Sequence, residues 1–283
     1  MSEGYITCAY GKQTYLDQAI NLACSIRRLD KERSIAILTD FKMQEVAEEH
    51  CAKGIFDKVH VLENWKLRGM MGKIACVEVT TFDRTMFFDS DCLLVRDPLF
   101  LWEKMREQHF SIQGEISLEG FYSGVNILFW FEKFNIKYLP MFNGGCYCWD
   151  SEGSNVLLRA GEILKSSKEN MIPTGTGGAA DDQPAIGIAM AETGIMPLPN
   201  SLNLHFSTFR SINLQLDLEK NYCRFLKGSF WAEPCVLHYN SLAGIEMYRS
   251  SSRKVLEKEV AKLRHSFGLK DCSWPRPNFR TVL

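Results

Sequence analysis

Short apolar runs and longer amphipathic segments alternate along the first third of the chain, and this alternation restricts the fold more than any other feature. Strands are predicted near residues 5–10, 34–38, 58–62 and 85–88, with helices near 15–26, 42–52 and 70–81 between them. Four strands separated by three helices indicate an α/β fold with a mostly parallel sheet covered by helices. Ligands bind beyond the carboxyl ends of the strands in such sheets, which directs attention to Tyr10, Asp40 and residues 89–91.

The remainder of the chain has a less regular pattern. Residues 110–150 are rich in aromatic side chains, and a helix is predicted around 153–166. Asp181-Asp182-Gln183-Pro184 opens another apolar helix, with Pro184 in its first turn. A further strand is predicted at 236–240.

No linker rich in Gly, Pro or Ser divides the chain, and no internal repeat is present. We therefore predict a single domain over residues 1–245 with an irregular second half, followed by a C-terminal helix and tail over 246–283. The helix pattern at 250–266 is basic and amphipathic, so it either packs on the domain or contacts an anionic membrane surface.

The composition argues against several classes of protein. Lys and Arg number 33 against 34 Asp and Glu, so a globally basic nucleic-acid binder is not expected. Ten cysteines occur without a Cys-x-x-Cys pair, so we expect buried free thiols in a reducing compartment rather than a structural zinc site. The longest apolar stretch, 125–131, is too short to span a membrane, and the N-terminus lacks a signal-peptide pattern. We expect a cytoplasmic protein without a transmembrane segment.

Two carboxylates follow the hydrophobic strand that ends at Phe88. Asp89 and Asp91 cannot be buried there without a partner except at a large energetic cost. A hard divalent cation such as Mn²⁺ or Mg²⁺ would satisfy both, and such a cation can hold a nucleotide diphosphate. The alternative is a pair of aspartates that only cap the strand end.

A family resemblance rests on this motif and on three later ones. Phe88-Asp89-Ser90-Asp91, after a helix that carries Lys73, resembles the Asp-x-Asp signature of nucleotide-sugar glycosyltransferases with the GT-A fold, a Rossmann-like α/β architecture. The similarity is closest to glycogenin and the bacterial retaining glucosyl- and galactosyltransferases. Phe142-Asn143-Gly144-Gly145 resembles their Phe-Asn-Ser-Gly, Asp182-Gln183 their Asp-Gln, and His238 their final histidine. The resemblance covers roughly residues 5–245.

The resemblance implies a role for each matching residue. Asp89, Asp91 and His238 would be the metal ligands, with Asp89 also at the ribose. The remaining residues implied at the nucleotide-sugar site are Ala9, Tyr10, Asp40, Lys73, Ser90 and Gly144, and those implied at the reacting sugar are Asn143, Asp182 and Gln183. Residues 1–100 would form the nucleotide-binding half, and residues 101–245 the sugar and acceptor half. Taken alone, each residue also has a structural explanation: core aromatic for Tyr10, helix cap for Asp40, solvated charge for Lys73 and core histidine for His238.

The activity implied is transfer of a hexose from a UDP-sugar to a hydroxyl of a glycan, protein or lipid-linked acceptor, with Mn²⁺ or Mg²⁺ and with retention of configuration. No residue can be assigned as a covalent nucleophile, since Asp182 is only the nearest candidate. Front-face displacement, which needs no such nucleophile, is therefore favoured. An inverting enzyme with Asp181, Asp182 or Glu233 as the base stays open. So do a nucleotidyltransferase and a non-catalytic protein that binds sugar nucleotides or glycans. A homo-oligomer is also left open.

The sequence departs from the family after His238. The group has a Gly-x-x-Lys-Pro-Trp run there, with the lysine on the diphosphate, whereas this chain continues 240–247 without a lysine. Lys227, Arg210 and Lys73 are the alternatives for that phosphate contact.

Overall fold

A computed structural model describes residues 1–62, 71–174, 179–239 and 261–268. The elements of the first half are β1 (Glu3–Ala9), α1 (Gln13–Leu29), β2 (Ser34–Thr39), α2 (Gln44–Ala52), β3 (Lys58–Val61), α3 (Met71–Val79), β4 (Arg84–Asp89), β5 (Cys92–Leu94), α4 (Pro98–Met105), β6 (Phe110–Ser117), β7 (Phe121–Tyr122), β8 (Val125–Asn126) and α5 (Leu128–Phe134). The second half contains β9 (Leu139–Asp150), α6 (Ser154–Lys165), α7 (Asp182–Thr193), β10 (Leu198–Pro199), a short 3-10 helix (Asn200–Leu202), β11 (His205–Ser207), β12 (Ser211–Asp217), β13 (Tyr222–Lys227), β14 (Phe230–Ala232) and β15 (Val236–His238).

Within these residues, a seven-stranded sheet forms the centre of the fold, in the order β10-β6-β9-β4-β1-β2-β3. Strands β1 to β4 are parallel, whereas β9 runs antiparallel to both β4 and β6. The predicted βαβαβαβ pattern and the mostly parallel sheet are thus confirmed, and the strand ends Ala9, Thr39 and Asp89 lie at one edge of the sheet.

Both faces of the sheet are buried, which explains why its strands read as continuous apolar runs. Tyr5 and Phe88 pack with α1 and α4 on one face. Ile6 and Phe87 pack with α3, α6 and α7 on the other face. The helices predicted around 153–166 and from Asp182 are therefore confirmed as layers of this core.

Two smaller sheets complete the described second half. Strand β15 pairs with β11 in parallel and with β5 antiparallel, so Cys92 lies directly opposite His238. Strands β12, β13 and β14 form an antiparallel sheet with its own small core. The aromatic-rich segment contains a tight β7–β8 hairpin, whose turn residues Ser123 and Gly124 both have positive φ.

Several predictions concern residues outside the described ranges. These are part of the turn at 173–178, the segment 240–247, most of the basic helix at 250–266 and the tail at 269–283. Residues 261–266 are helical, and Arg264 Nη1 donates a hydrogen bond to Asn21 Oδ1 at 2.7 Å. This part of the basic segment therefore packs on α1. Among the described helices, none is long and apolar enough to cross a membrane.

A buried polar network ties β1 to α1 and α4. Tyr5 donates to Asp30 Oδ2 at 2.7 Å, and Trp102 Nε1 donates to the Tyr5 hydroxyl at 2.7 Å. Burial acts to raise the pKa of Asp30, but the hydrogen bonds from Tyr5 and Arg33 outweigh it and lower the pKa. The Asp30 carboxylate therefore contributes stability above about pH 4, and the contribution is lost as the pH falls through its lowered folded-state pKa.

We predict that Tyr5→Phe lowers the free energy of unfolding by about 1–3 kcal/mol, because it leaves the buried Trp102 N–H without its acceptor and removes one of the donors to the Asp30 carboxylate. Urea unfolding at neutral pH measures this change. Tyr15→Phe is the control, since Tyr15 lies on α1 and is 41% exposed. An equal effect of the two substitutions would contradict the network's contribution.

Candidate active site at the carboxyl end of β4

Asp89, Asp91 and His238 converge where β4 ends. Asp89 is the last residue of β4, Asp91 lies in the turn before β5, and the β5–β15 pairing brings His238 against that turn. His238 Nε2 is 3.0 Å from Asp91 Oδ1 and 3.7 Å from Asp89 Oδ2. One ligand atom from each of the three residues lies within 4.8 Å of the other two. Two carboxylate oxygens and an imidazole nitrogen are a donor set that suits Mn²⁺.

Lys73 connects this cluster to α7. Its side chain is buried, with Nζ 2.9 Å from Asp89 Oδ2 and 3.3 Å from Asp182 Oδ2. Burial acts to lower the pKa of Lys73, but Asp182 and Asp89 outweigh it and raise the pKa, so the ammonium stays charged. Lys73 is therefore part of the site and not a solvated helix charge.

The charges of this cluster do not balance. Burial raises the pKa of Asp89, and burial acts in the same direction on Asp91, whose pKa the His238 imidazole nevertheless lowers. Burial acts to lower the pKa of His238, and Asp91 raises it. Asp182 is the third carboxylate of the cluster. Among the described residues, the three carboxylates face only Lys73 and His238 as basic groups. A divalent cation would offset the remaining negative charge, so the residues present fit such an ion.

Asn143 and Gly145 on β9 fix the orientation of the imidazole. His238 Nδ1 lies 2.6 Å from Asn143 Oδ1. If Nδ1 carries the proton and donates to Asn143, Nε2 holds the lone pair that faces the carboxylates. A Cβ on residue 145 would lie 2.3 Å from His238 Nδ1, so only glycine leaves room for the ring.

The start of α7 lies beside β9 and the β7–β8 hairpin. Asp181 caps α7 by accepting from the Gln183 N–H at 3.1 Å, and the Tyr122 hydroxyl donates to its other oxygen at 2.8 Å. Gln183 Oε1 accepts from the Gly144 N–H at 3.2 Å, and Asp182 is buried. These contacts hold Asp182 and Gln183 next to the carboxylate cluster.

The residues implied for the nucleoside lie at the ends of β1 and β2. Both oxygens of the buried Asp40 carboxylate accept backbone N–H groups, from Gly11 at 2.7 Å and from Lys42 at 3.0 Å. Asp40 thus shapes the loops around this part of the predicted nucleotide-sugar site. Tyr10 is half-buried against Gly72, where a Cβ would lie 2.3 Å from its ring. Ala9 is buried at the end of β1, and Ser90 is half-buried between the two aspartates.

The structure adds contacts that sequence analysis did not identify. Tyr122 lies in the aromatic-rich segment 110–150, and only its bond to Asp181 shows its place at the site. His205 lies beside His238 with a ring-centroid distance of 5.5 Å, and burial lowers its pKa well below the usual value. No sequence motif surrounds His205.

The alternatives for the missing phosphate-binding lysine lie in two places, with Lys227 and Arg210 both beside Phe209 and Lys73 in the carboxylate cluster. Lys227 Nζ donates to the backbone oxygens of Ser207 and Phe209, at 2.8 and 2.5 Å, near the end of β11. Ser207 is paired with His238, so the Lys227 ammonium, which β13 carries, lies at the end of the strand next to that of His238. Arg210 is exposed and stacks on the Phe209 ring. Lys73 is the one of the three that contacts the carboxylates directly.

We predict that Gly145→Ala weakens Mn²⁺ binding by about 10–100-fold, because the added Cβ displaces the His238 ring. The neighbouring Gly144→Ala is the control, since its Cβ would come no closer than 3.3 Å, to the flexible Gln183 side chain. Mn²⁺ titration followed by electron paramagnetic resonance measures both, with circular dichroism to verify folding. Equal Mn²⁺ affinities for the two variants would show that His238 does not bind the ion.

Comparisons with known proteins place this arrangement in a known fold. The sequence matches no protein-family model and no curated protein. The structure resembles that of galactosyltransferase LgtC in complex with donor and acceptor sugar analogues, with a TM-score of 0.56 and 12% identity over 93% of this chain and 95% of that one. It also resembles the apo form of glycosyltransferase GlyE from Streptococcus pneumoniae TIGR4, with a TM-score of 0.53 and 15% identity over 93% of this chain and 64% of GlyE.

A third similar structure is the bifunctional glycosyltransferase WbbM in its apo form, with a TM-score of 0.50 and 12% identity over 93% of this chain and 51% of WbbM. The chain therefore spans about half of WbbM and slightly less than two thirds of GlyE. At sequence identities this low, the structural similarity establishes a shared fold and nothing more specific. The chain has the GT-A fold expected from its motifs.

Proposed function

We propose that this protein is a metal-dependent glycosyltransferase that moves a hexose from a UDP-sugar to an acceptor hydroxyl with retention of anomeric configuration. One observation carries the proposal: Asp89, Asp91 and His238 meet Lys73 and Asp182 at the carboxyl end of the central sheet. The likeness to glycosyltransferases of the same fold supports it, because ligands of such sheets bind at this edge.

The chain's own residues would hold the cation and the donor. Asp89, Asp91 and His238 would bind Mn²⁺ or Mg²⁺ in the position that their donor atoms surround. A divalent ion there supplies charge stabilisation to the departing diphosphate. Lys73 would hold a proton and a positive charge beside Asp89, close to the developing negative charge of the leaving group.

The start of α7 would orient the sugar. Asp182 and Gln183 offer carboxylate and amide groups for sugar hydroxyls, and their positions are held by Lys73 and by the Gly144 N–H. The acceptor hydroxyl would approach beside the β7–β8 hairpin, because Tyr122 connects that hairpin to Asp181. LgtC has also been solved as an active-site mutant in which a glutamine is replaced by glutamate, so that enzyme has a glutamine in its active site. Gln183 is our candidate for a comparable position here.

Retention is favoured because the carboxylates that could act as a base for inversion have other partners. Asp181 is engaged by Tyr122 and the backbone of Gln183, and Asp182 faces Lys73. Glu233 pairs with Arg96 and Arg224 and lines a separate cavity of about 320 Å³. Front-face displacement needs no such base, since the departing phosphate oxygen takes the acceptor proton.

We also propose that the protein works in the cytoplasm. The nine described cysteines support this location, because all are free thiols and a reducing compartment keeps thiols free. We propose that residues 1–100 form the nucleotide-binding half and residues 101–245 the sugar and acceptor half. The acceptor hydroxyl would belong to a glycan, a protein or a lipid-linked molecule.

We predict that the protein releases UDP from one member of a UDP-sugar panel in the presence of Mn²⁺, and that EDTA abolishes the release. Asp91→Asn should lower the rate about 100-fold or more, because loss of a direct metal ligand costs at least as much as loss of its outer partners. Asp217→Asn is the matched control and should leave the rate unchanged, since Asp217 lies at the partly exposed end of β12 and pairs with Lys220.

The outcomes separate the alternatives. Metal-dependent UDP binding without turnover, even with a panel of acceptors, would indicate a non-catalytic binding protein. Formation of UDP-sugar from UTP and a sugar phosphate would indicate a nucleotidyltransferase. Release that is unaffected by both EDTA and Asp91→Asn would overturn the proposed role of the cluster.

We predict that the hexose first released from an α-linked UDP-sugar is the α anomer. Proton NMR within minutes of mixing measures the anomer before mutarotation mixes the two forms. A β anomer as the first product would establish inversion, and Asp181 and Asp182 would then be tested as the base by substitution with Asn.

A further inference from the structure

The carboxylate site shares His238 with a second cluster of side chains that could hold a metal ion. Cys92 and His238 are cross-strand neighbours on β5 and β15, and His205 on β11 lies on the same face, two residues from Ser207, the partner of His238. The ring centroids of His205 and His238 are 5.5 Å apart. One ligand atom from each of Cys92, His205 and His238 lies within 4.8 Å of the other two.

This cluster is buried and incompletely paired. Cys92, His205 and His238 are 1%, 3% and 4% exposed. Within the described parts of the chain, His205 Nε2 has no hydrogen-bond partner. Cys92 Sγ makes only a weak contact with the Gly145 carbonyl oxygen at 3.3 Å. A buried polar nitrogen without a partner is costly, so a ligand that used it would stabilise the site.

The donor set indicates the type of ion. A thiolate and two imidazoles are ligand types that Zn²⁺ accepts, whereas Mn²⁺ and Mg²⁺ prefer oxygen. A tetrahedral Zn²⁺ needs ligand atoms about 3.3–3.6 Å apart. From the present upper limit of 4.8 Å, zinc binding would therefore draw these ligand atoms together by up to about 1.2–1.5 Å, through side-chain adjustment of Cys92 and His205.

We propose that Cys92, His205 and His238 form a zinc site that competes with the carboxylate site for His238. A neutral imidazole has one nitrogen lone pair, so His238 serves one ion at a time. When Zn²⁺ binds, the Zn–S bond forms as the Cys92 thiol loses its proton to solvent, the two imidazoles donate lone pairs, and nothing is oxidised or reduced. When zinc is bound, His238 is no longer available to the metal site that it forms with Asp89 and Asp91. This inhibitory consequence, though not the zinc site itself, rests on the proposed function.

Cobalt provides the test, because Co²⁺ adopts zinc geometries and reports a bound thiolate by a near-ultraviolet charge-transfer band. The full chain, freed of metal and titrated with Co²⁺, should show this band. Cys92→Ser should abolish it, and His205→Gln should weaken Co²⁺ binding about 10-fold or more. Cys24→Ser, at a buried thiol on α1, should leave it unchanged. Circular dichroism verifies that each variant is folded.

Two results would overturn the site: no thiolate band in the unsubstituted protein, or a band that persists in folded Cys92→Ser.

A second experiment measures the displacement of Mn²⁺ by Zn²⁺ with electron paramagnetic resonance. His205→Gln should still bind Mn²⁺, and about 10-fold more Zn²⁺ should be needed to displace it. Displacement at the same Zn²⁺ concentration in both proteins would overturn the competition.

The two proposals fail separately. A cobalt–thiolate band in a protein that releases no UDP would leave the zinc site standing without the glycosyltransferase. UDP release without a cobalt–thiolate band would leave the glycosyltransferase standing without the zinc site.

Discussion

The buried ammonium of Lys73 lies between a carboxylate at the end of β4 and another at the start of α7, and the rest of the site depends on this contact. If Lys73 were absent, Asp89 and Asp182 would lose the cation that lies between them. Charged groups that are largely buried and unpaired strongly destabilise a fold. The same contact connects α3, which carries Lys73, to the end of β4 and to the start of α7. Lys73 thus links the part of the fold expected to hold the nucleotide with the part expected to hold the sugar.

Such a cluster is a poor source of stability and a good basis for binding. The free-energy cost of removing several charges from water offsets much of the free energy gained from their attraction. The stability of the fold must therefore come from other contacts, such as the apolar layers on both sheet faces and the Tyr5 network. The excess of carboxylates over basic groups leaves net negative charge at this edge of the sheet. A divalent cation would offset that charge and would also attract the phosphates of a donor.

Much of this arrangement could be predicted from the sequence. The parallel core follows from apolar runs separated by helical periodicity, and the abrupt end of the run at Phe88 marks Asp89 and Asp91 as an edge site. The burial of Lys73 could not be predicted, because a lysine on a helix is usually solvated and its partners come from other elements.

The contacts that sequence analysis missed depend on turns and strand pairing. Tyr122 reaches the site only through a two-residue turn with positive φ at Ser123 and Gly124. His205 is brought to His238 by strand pairing that no local pattern indicates. The cysteine spacing predicted buried free thiols, and the location of Cys92 opposite His238 became apparent only from β-sheet register.

The central claim is that the carboxylate cluster, a divalent cation and a nucleotide diphosphate bind as one unit. Binding energies coupled in this way must be reciprocal, so the cation should strengthen nucleotide binding by the same factor as the nucleotide strengthens cation binding. Calorimetric titration of UDP into the protein, with Mn²⁺ and then with EDTA, tests this most directly. We expect UDP to bind at least about 10-fold more tightly with Mn²⁺, a coupling of about 1.4 kcal/mol, and Asp91→Asn to remove the difference. Equal UDP affinity with Mn²⁺ and with EDTA would contradict the account.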